Sequence, residues 1–279
     1  YRDQATINYL GAAFPSPLYG LNPQYTSSTM SRGALLQGYP HFGAVNLSDS
    51  VGYSWYHSLQ SRLDKRLSKS LTLQMSWTWS KAMEATQFLN ASDPMPYKSL
   101  SSIDRGQRFT GSGIYELPFG KGRKWGAGMP KVLEFFAGGW QMSGAWQRQS
   151  GQPIGWGNII INGDSTKLVL PSDQRNADRW FNTSVFNTRS TEQLASNIRT
   201  FPFRFSNARL DSQRRWDVSL RKTFSLDERF KMHFRCDSFN VLNEPVLRGP
   251  NTDPTNSSFG RITAQEPPRS FQFSLNLAF

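Results

Sequence analysis

Phe271-Gln272-Phe273-Ser274-Leu275-Asn276-Leu277-Ala278-Phe279 ends the chain, and its alternation decides the fold. Phe271, Phe273, Leu275, Leu277 and Phe279 are apolar, and Gln272, Ser274, Asn276 and Ala278 fall between them. A helix would scatter the five apolar residues around its circumference, whereas a strand places all of them on one side. About ten residues of this kind match one tilted strand crossing a membrane.

The same period recurs upstream. Leu71, Leu73, Met75, Trp77 and Trp79 alternate with Thr72, Gln74, Ser76, Thr78 and Ser80. Tyr53, Trp55, Leu59, Leu63 and Leu67 share one parity, against Ser54, Ser58, Gln60, Arg62, Asp64 and Arg66. Trp140, Met142, Gly144 and Trp146 oppose Gln141, Ser143, Ala145 and Gln147; Trp216, Val218, Leu220 and Phe224 oppose Asp217, Ser219, Arg221 and Thr223. Phe230, Met232, Phe234 and Cys236 oppose Lys231, His233, Arg235 and Asp237. Residues 109–117 alternate less clearly, because Gly111 and Gly113 occupy the apolar parity. About seven strands result, with 42–47 a weaker eighth candidate.

A soluble sandwich would alternate too, and three features argue against it. Charge and amide groups fill the polar parity of strand after strand, as a wet lumen requires. The connections are uneven: 68–70 and 225–229 are tight, while 83–107, 150–213 and 243–268 are long. Barrels in an outer membrane have short periplasmic turns and long outer loops. On that scheme 119–138 should be a short turn, and it is not. Aromatic residues also fall in two belts, as interfacial residues do. Trp55, Trp77, Trp79, Trp146 and Trp216 lie near the long-loop ends, with Tyr115, Trp140, Phe224, Phe230 and Phe279 near the short-turn ends.

Composition agrees. The 279 residues are 37% hydrophobic and 14% aromatic, with a mean hydropathy of −0.55. A barrel strand is apolar on one side only, so low hydropathy is compatible with a membrane location. No apolar run approaches the ~18 residues of a spanning helix. The chain begins Tyr1-Arg2-Asp3-Gln4 without a basic-then-apolar leader, so the expectation is a removed signal or a piece of a longer protein. The net charge of +12 is scattered rather than gathered in a stripe. Nucleic acid is therefore excluded as a partner, and lipopolysaccharide head groups or an acidic domain in the pore are expected instead.

The segment Tyr56-His57-Ser58-Leu59-Gln60, then Asp64-Lys65-Arg66 and Ser76-Trp77-Thr78-Trp79-Ser80-Lys81-Ala82, resembles the TonB-dependent receptor family, in its Oar-like, acidobacterial branch. Asp104-Arg105 with Arg108-Phe109, Tyr115-Glu116-Leu117-Pro118-Phe119-Gly120-Lys121-Gly122 and Gly138-Gly139-Trp140-Gln141 continue the match. So do Gln149-Ser150-Gly151-Gln152-Pro153, Trp180-Phe181-Asn182 and Phe239-Asn240-Val241-Leu242-Asn243. The resemblance implies an all-β, antiparallel transmembrane β-barrel of about 22 strands, closed by an N-terminal plug. Residues 1–279 then form a single C-terminal portion of that barrel, without plug or TonB box. Phe271, Phe273, Leu275, Leu277 and Phe279 resemble the signal that barrel-assembly machinery reads.

No enzyme is expected. His41, His57 and His233 are far apart, Cys236 is alone, and no Gly-x-Ser-x-Gly elbow exists. Gly120-Lys121-Gly122-Arg123-Lys124 lacks phosphate-loop spacing and reads as a basic turn. Asp173 with Asp178, and Asp253 with Asn256, read as turn residues rather than calcium ligands. No cofactor or metal is expected. The polar parity carries Arg62, Arg66, Arg215, Arg221, Lys231 and Arg235, with Asp64, Glu116, Asp217 and Asp237. These either guide an anionic solute or dock a plug, or they pair across strands in a wet lumen, which is the expected role. The resemblance implies energy-coupled uptake across the outer membrane of a Gram-negative bacterium, with TonB engaging a more N-terminal part. Siderophores, glycans and peptides are the substrate classes it implies, met in the lumen and long loops. The alternative is a structural, adhesive or secretion-related barrel of the Oar type.

Overall fold

The computed structural model describes residues 3–42, 48–67, 70–193, 198–225 and 229–278. Seven long strands carry the fold: β1 Tyr53–Leu67, β2 Leu71–Ala85, β3 Gln107–Glu116, β4 Trp140–Gln149, β5 Gln213–Ser225, β6 Lys231–Phe239 and β7 Ser270–Ala278. Each pairs antiparallel with its neighbours in sequence, so the sheet is a meander from β1 to β7. The two-residue strand Ser99–Leu100 adds to β2. The outer edges of β1 and β7 do not meet, and the sheet is open. The eighth candidate, 42–47, lies beyond Phe42 outside the described residues, as does Phe279.

Register sorts the side chains into two faces. Directly paired residues share a face, so Leu59 and Trp79, Leu63 and Met75, Trp77 and Phe109, Tyr115 and Met142, Trp146 and Trp216, and Phe234 and Leu275 lie on one side. Arg62 and Ser76, Gln74 and Ser112, Arg215 and Gln147, and Asp237 and Gln272 lie on the other. The apolar face is uncovered: Phe273 is 66% and Leu277 65% exposed. A greasy surface this extensive requires a non-aqueous partner.

Basic residues bound that face at both ends. On β1 the apolar run lies between His57 and Lys65, eight residues apart. Eight residues span roughly 26 Å along a strand, or about 20 Å of height at a ~40° tilt. The long side chains at the rims reach outward to polar surroundings, which brings the band close to the ~25 Å of outer-membrane barrels. Arg148 and Arg214, paired across β4 and β5, mark the same long-loop rim.

Gly111 has a packing reason. Trp146 pairs directly with Gly111, and a Cβ at Gly111 would meet the Trp146 ring at 2.8 Å. The indole lies across the glycine and continues a stack in which Phe109 and Trp146 centroids are 4.3 Å apart and Trp146 and Trp216 are 5.0 Å apart. Glycines covered by a cross-strand aromatic are a stabilising device in sheets.

The packed core of the described residues lies outside the sheet. Ile154, Trp156, Leu168, Trp180, Phe181 and Phe186 belong to one buried cluster, contributed by the long connections of β4–β5 and β6–β7. That cluster caps the long-loop side, and the strands Pro153–Gly155 and Arg204–Arg209 pair within it. β1 and β2 have 15 residues each, longer than the ~9–11 needed to cross a bilayer. The upper end of β2 projects into the cap, where Ala85 is fully buried. Residues 3–42 form a smaller unit: helix Gln4–Gly11, capped by Asp3, with the hairpin Ala13–Pro15 and Thr29–Ser31.

The connection between β3 and β4 is the long link that departs from the short-turn scheme. It contains the helix Lys131–Ala137, and Phe119 bridges to Trp125. The reason is Lys222, which sits on the apolar face opposite Trp140 and Phe234. A lysine on a lipid-facing strand is unfavourable, and this connection covers it. The ammonium donates to the Gly138 carbonyl and lies 5.7 Å from the Trp140 ring and 5.0 Å from that of Phe224. Phe135 packs on Phe224 with centroids 4.9 Å apart. Lys222 is 2% exposed as a result.

Candidate functional site: the charged sheet face and its cap

On the polar face an Arg-x-Asp motif occurs on three strands. In a strand, residues i and i+2 point the same way, so each arginine reaches its own aspartate. Arg62 Nε donates to Asp64, Arg215 to Asp217 and Arg235 to Asp237, each at 2.8 Å. These pairs are largely solvent-facing, where such contacts are worth ~0–1 kcal/mol. A trough of about 450 Å³ opens on this face across β2 to β6, lined by Gln74, Ser112, Ser143, Asp217, Arg235 and Asp237 among others.

The six cations expected on this face are all there, but they do not form one site. Arg62 and Arg66 are on β1, with three strands between them and Arg215 and Arg221 on β5. Lys231 lies at the far end of β6, opposite Ser225. Only Arg221 and Arg235 stand directly across from each other. Around them is a network that periodicity alone did not single out. Arg235 Nε also donates to Ser219 Oγ at 3.0 Å. Arg221 Nη2 lies 3.2 Å and Thr223 Oγ1 3.1 Å from His233 Nδ1, which accepts from both when the ring is neutral with its proton on Nε2. Among the described residues Arg221 has no carboxylate partner, so it is the open positive charge of the group.

Of the terminal apolar residues, Phe271, Phe273, Leu275 and Leu277 share the exposed apolar face of β7.

Part-buried ionic contacts lock the cap to β2. Glu84, at the end of β2, meets Arg204 at 2.8 Å and accepts from Ser101 Oγ at 2.6 Å. Asp104 meets Arg209 at 2.7 Å and accepts from the Ala82 N–H at 2.7 Å. Arg209 and Arg204 come from the same short cap strand, five residues apart. Asp104 belongs to the Asp104-Arg105 motif, but its partner lies too far away in sequence to be read there. Arg199 is buried and donates to three carbonyls, those of Phe201, Trp156 and Pro202. Burial, then repulsion from Arg204, pulls its pKa down to about 10. Arg105 is also lowered, first by burial and then by Arg209 and Arg108.

Asp178, Asp253 and Asn256 are engaged by the protein's own groups. Asp178 is held by Arg261 at 2.6 Å, and Asp253 accepts from the Thr255 N–H and hydroxyl. Asn256 accepts from the Ser258 N–H. In the basic turn, the Lys121 N–H donates to both oxygens of Glu134 at 2.9 Å, so the chain's own carboxylate occupies the place of a phosphate. Among the described residues no group of three His, Cys, Asp or Glu side chains is arranged to hold a metal.

An all-β meander with one greasy and one ionic face, banded by aromatics and cations, is a membrane-spanning sheet. The family model described as "Outer membrane beta barrel domain" matches residues 3–272. The chain belongs to that family, which points to an outer membrane as its location. A search of curated proteins and a search of solved structures each returned no match.

Proposed function

We propose that this is the C-terminal part of a TonB-dependent receptor barrel of the Oar-like type, acting in the outer membrane of a Gram-negative bacterium. Its work is energy-coupled uptake of a solute, without catalysis or a bound cofactor. The carrying observation is the polar face: an open trough lined by hydroxyl and amide groups with Arg235, Asp217 and Asp237, in a sheet whose β2 end is tied to the cap by an ion pair. A large barrel needs such a wall to conduct a polar solute. The partners follow from the same reading. TonB engages a part of the protein N-terminal to this chain, the assembly machinery reads Phe271, Phe273, Leu275, Leu277 and Phe279, and lipopolysaccharide meets the basic rim.

The test is uptake of labelled siderophores, glycans and peptides by cells with and without the gene, in the presence and absence of TonB. Uptake of one class should fall on loss of either gene. Transport that persists undiminished without TonB overturns the proposal.

One observation favours the second reading, a structural or adhesive barrel. The aromatic side chains of the cap face each other in a core rather than a ligand cleft. Gene loss that abolishes surface attachment but leaves all uptake unchanged would select that reading.

A further inference from the structure

The connection from β3 to β4 does more than cover Lys222. Its helix lies against the end of the apolar face, through Phe135 on Phe224 and the Trp140 indole N–H on the Phe136 carbonyl at 2.8 Å. Yet its remaining apolar side chains turn away from the protein. Val132 is 70% and Phe136 64% exposed, and Leu133 and Trp125 are half or more exposed. They continue the greasy surface of the sheet beyond its short-turn rim.

The same connection is basic. Arg123 is paired with Glu116 at 2.7 Å, and Glu134 is engaged by the Lys121 N–H. The ammonium groups of Lys121, Lys124 and Lys131 have no ion pair among the described residues. Exposed apolar side chains beside ammonium groups without carboxylate partners, at the margin of a lipid-facing surface, fit a membrane interface with anionic head groups.

We infer that residues 117–139 form an interfacial anchor. Val132, Leu133 and Phe136 enter the leaflet on the short-turn side, and Lys121, Lys124 and Lys131 bind the phosphates of anionic phospholipid. This rests on the outer-membrane barrel family and on the register, not on the proposed transport. Short turns face the periplasm in such barrels, so the leaflet is the periplasmic one. Each lysine near an anionic surface strengthens association about five-fold, so the three act together.

The test uses the full-length protein reconstituted in phosphatidylcholine vesicles with or without phosphatidylglycerol. A spin label is placed at Phe136→Cys in a Cys236→Ser background, with heat-modifiable migration as the check on folding. Accessibility to oxygen, which concentrates in lipid, is compared with accessibility to a water-soluble nickel chelate. The expected result is lipid-phase contact with phosphatidylglycerol. It should shift several-fold toward water in phosphatidylcholine alone, and in the Lys121→Gln, Lys124→Gln, Lys131→Gln triple variant. Water exposure in both vesicles overturns the anchor. So does shielding from both reagents, which would mean a protein partner. Lipid contact that ignores both phosphatidylglycerol and the triple variant overturns the head-group recognition.

Discussion

Arg209 and Asp104 meet at 2.7 Å with the Asp104 side chain 1% exposed, and they join the cap to the top of the sheet across 105 positions of sequence. Asp104 simultaneously holds the Ala82 N–H, so the carboxylate is shared between cap and β2.

Removing one partner leaves a buried charge unmatched, which costs ~3–5 kcal/mol. Arg209→Met should therefore open the cap, seen as rapid proteolysis of 150–212 while the sheet stays heat-modifiable. Arg209→Met with Asp104→Leu should recover much of the loss. Equal protease resistance in wild type and Arg209→Met would deny the pair this role.

Trp146 and Gly111 should behave as a coupled pair. Gly111→Val forces an isopropyl group into the indole and costs ~1–3 kcal/mol. Combined with Trp146→Ala, the same substitution should cost much less than the sum of the two single changes. A denaturant series on bilayer-folded protein measures the coupling, and simple additivity would contradict the packing.

Lys222→Met should leave stability within ~1 kcal/mol or raise it, because the lysine lies near the membrane rim. Gly139→Ala should lower it by ~1–2 kcal/mol, since a non-glycine residue is strained in this left-handed conformation. Gly139 has φ 70°, and an added Cβ would meet the Thr223 carbonyl oxygen at 3.0 Å. Reversible unfolding in bilayers reads both.

Arg221→Gln and Arg235→Gln should leave assembly nearly intact, because exposed charges on this face contribute ~0–1 kcal/mol each. Unchanged heat-modifiable migration is the expected result. Collapse of assembly would show that the polar face has a structural role beyond solvation.

Hydrogen bonds from the Thr255 N–H, then its hydroxyl, hold the Asp253 carboxyl below the ordinary 3.8. A depressed folded pKa means the stabilisation is present above 3.8 and is lost as pH falls through the lower folded value. Thr255→Ala removes the hydroxyl alone, so carboxyl titration should show Asp253 moving part of the way up. No movement would leave that hydroxyl without effect.

The seven strands were legible because a two-residue period survives single exceptions, and the described part of the terminal β7 runs to Ala278 just as its alternation indicates. Gly111 read as a weakness because the residue that completes it, Trp146, is on another strand. Lys222 escaped notice among Trp216, Val218, Leu220 and Phe224, since its cover comes from 117–139. The cap core was not legible. Trp156, Phe181 and Phe186 follow no period, and their meeting depends on turns and long-range contacts. The six polar-face cations were legible as a set sharing a face, but the Arg221–His233–Thr223 arrangement needs cross-strand register.

Heat should take this molecule apart in two acts. The aromatic nucleus above the rim owes its cohesion to water, whereas the ribbon below owes its own to surrounding oil. A detergent that thins the oil should hasten one melting and spare the other. The hinge between the two events is the last turn of ribbon at Ala82 and Ala85, where both solvents lose their hold.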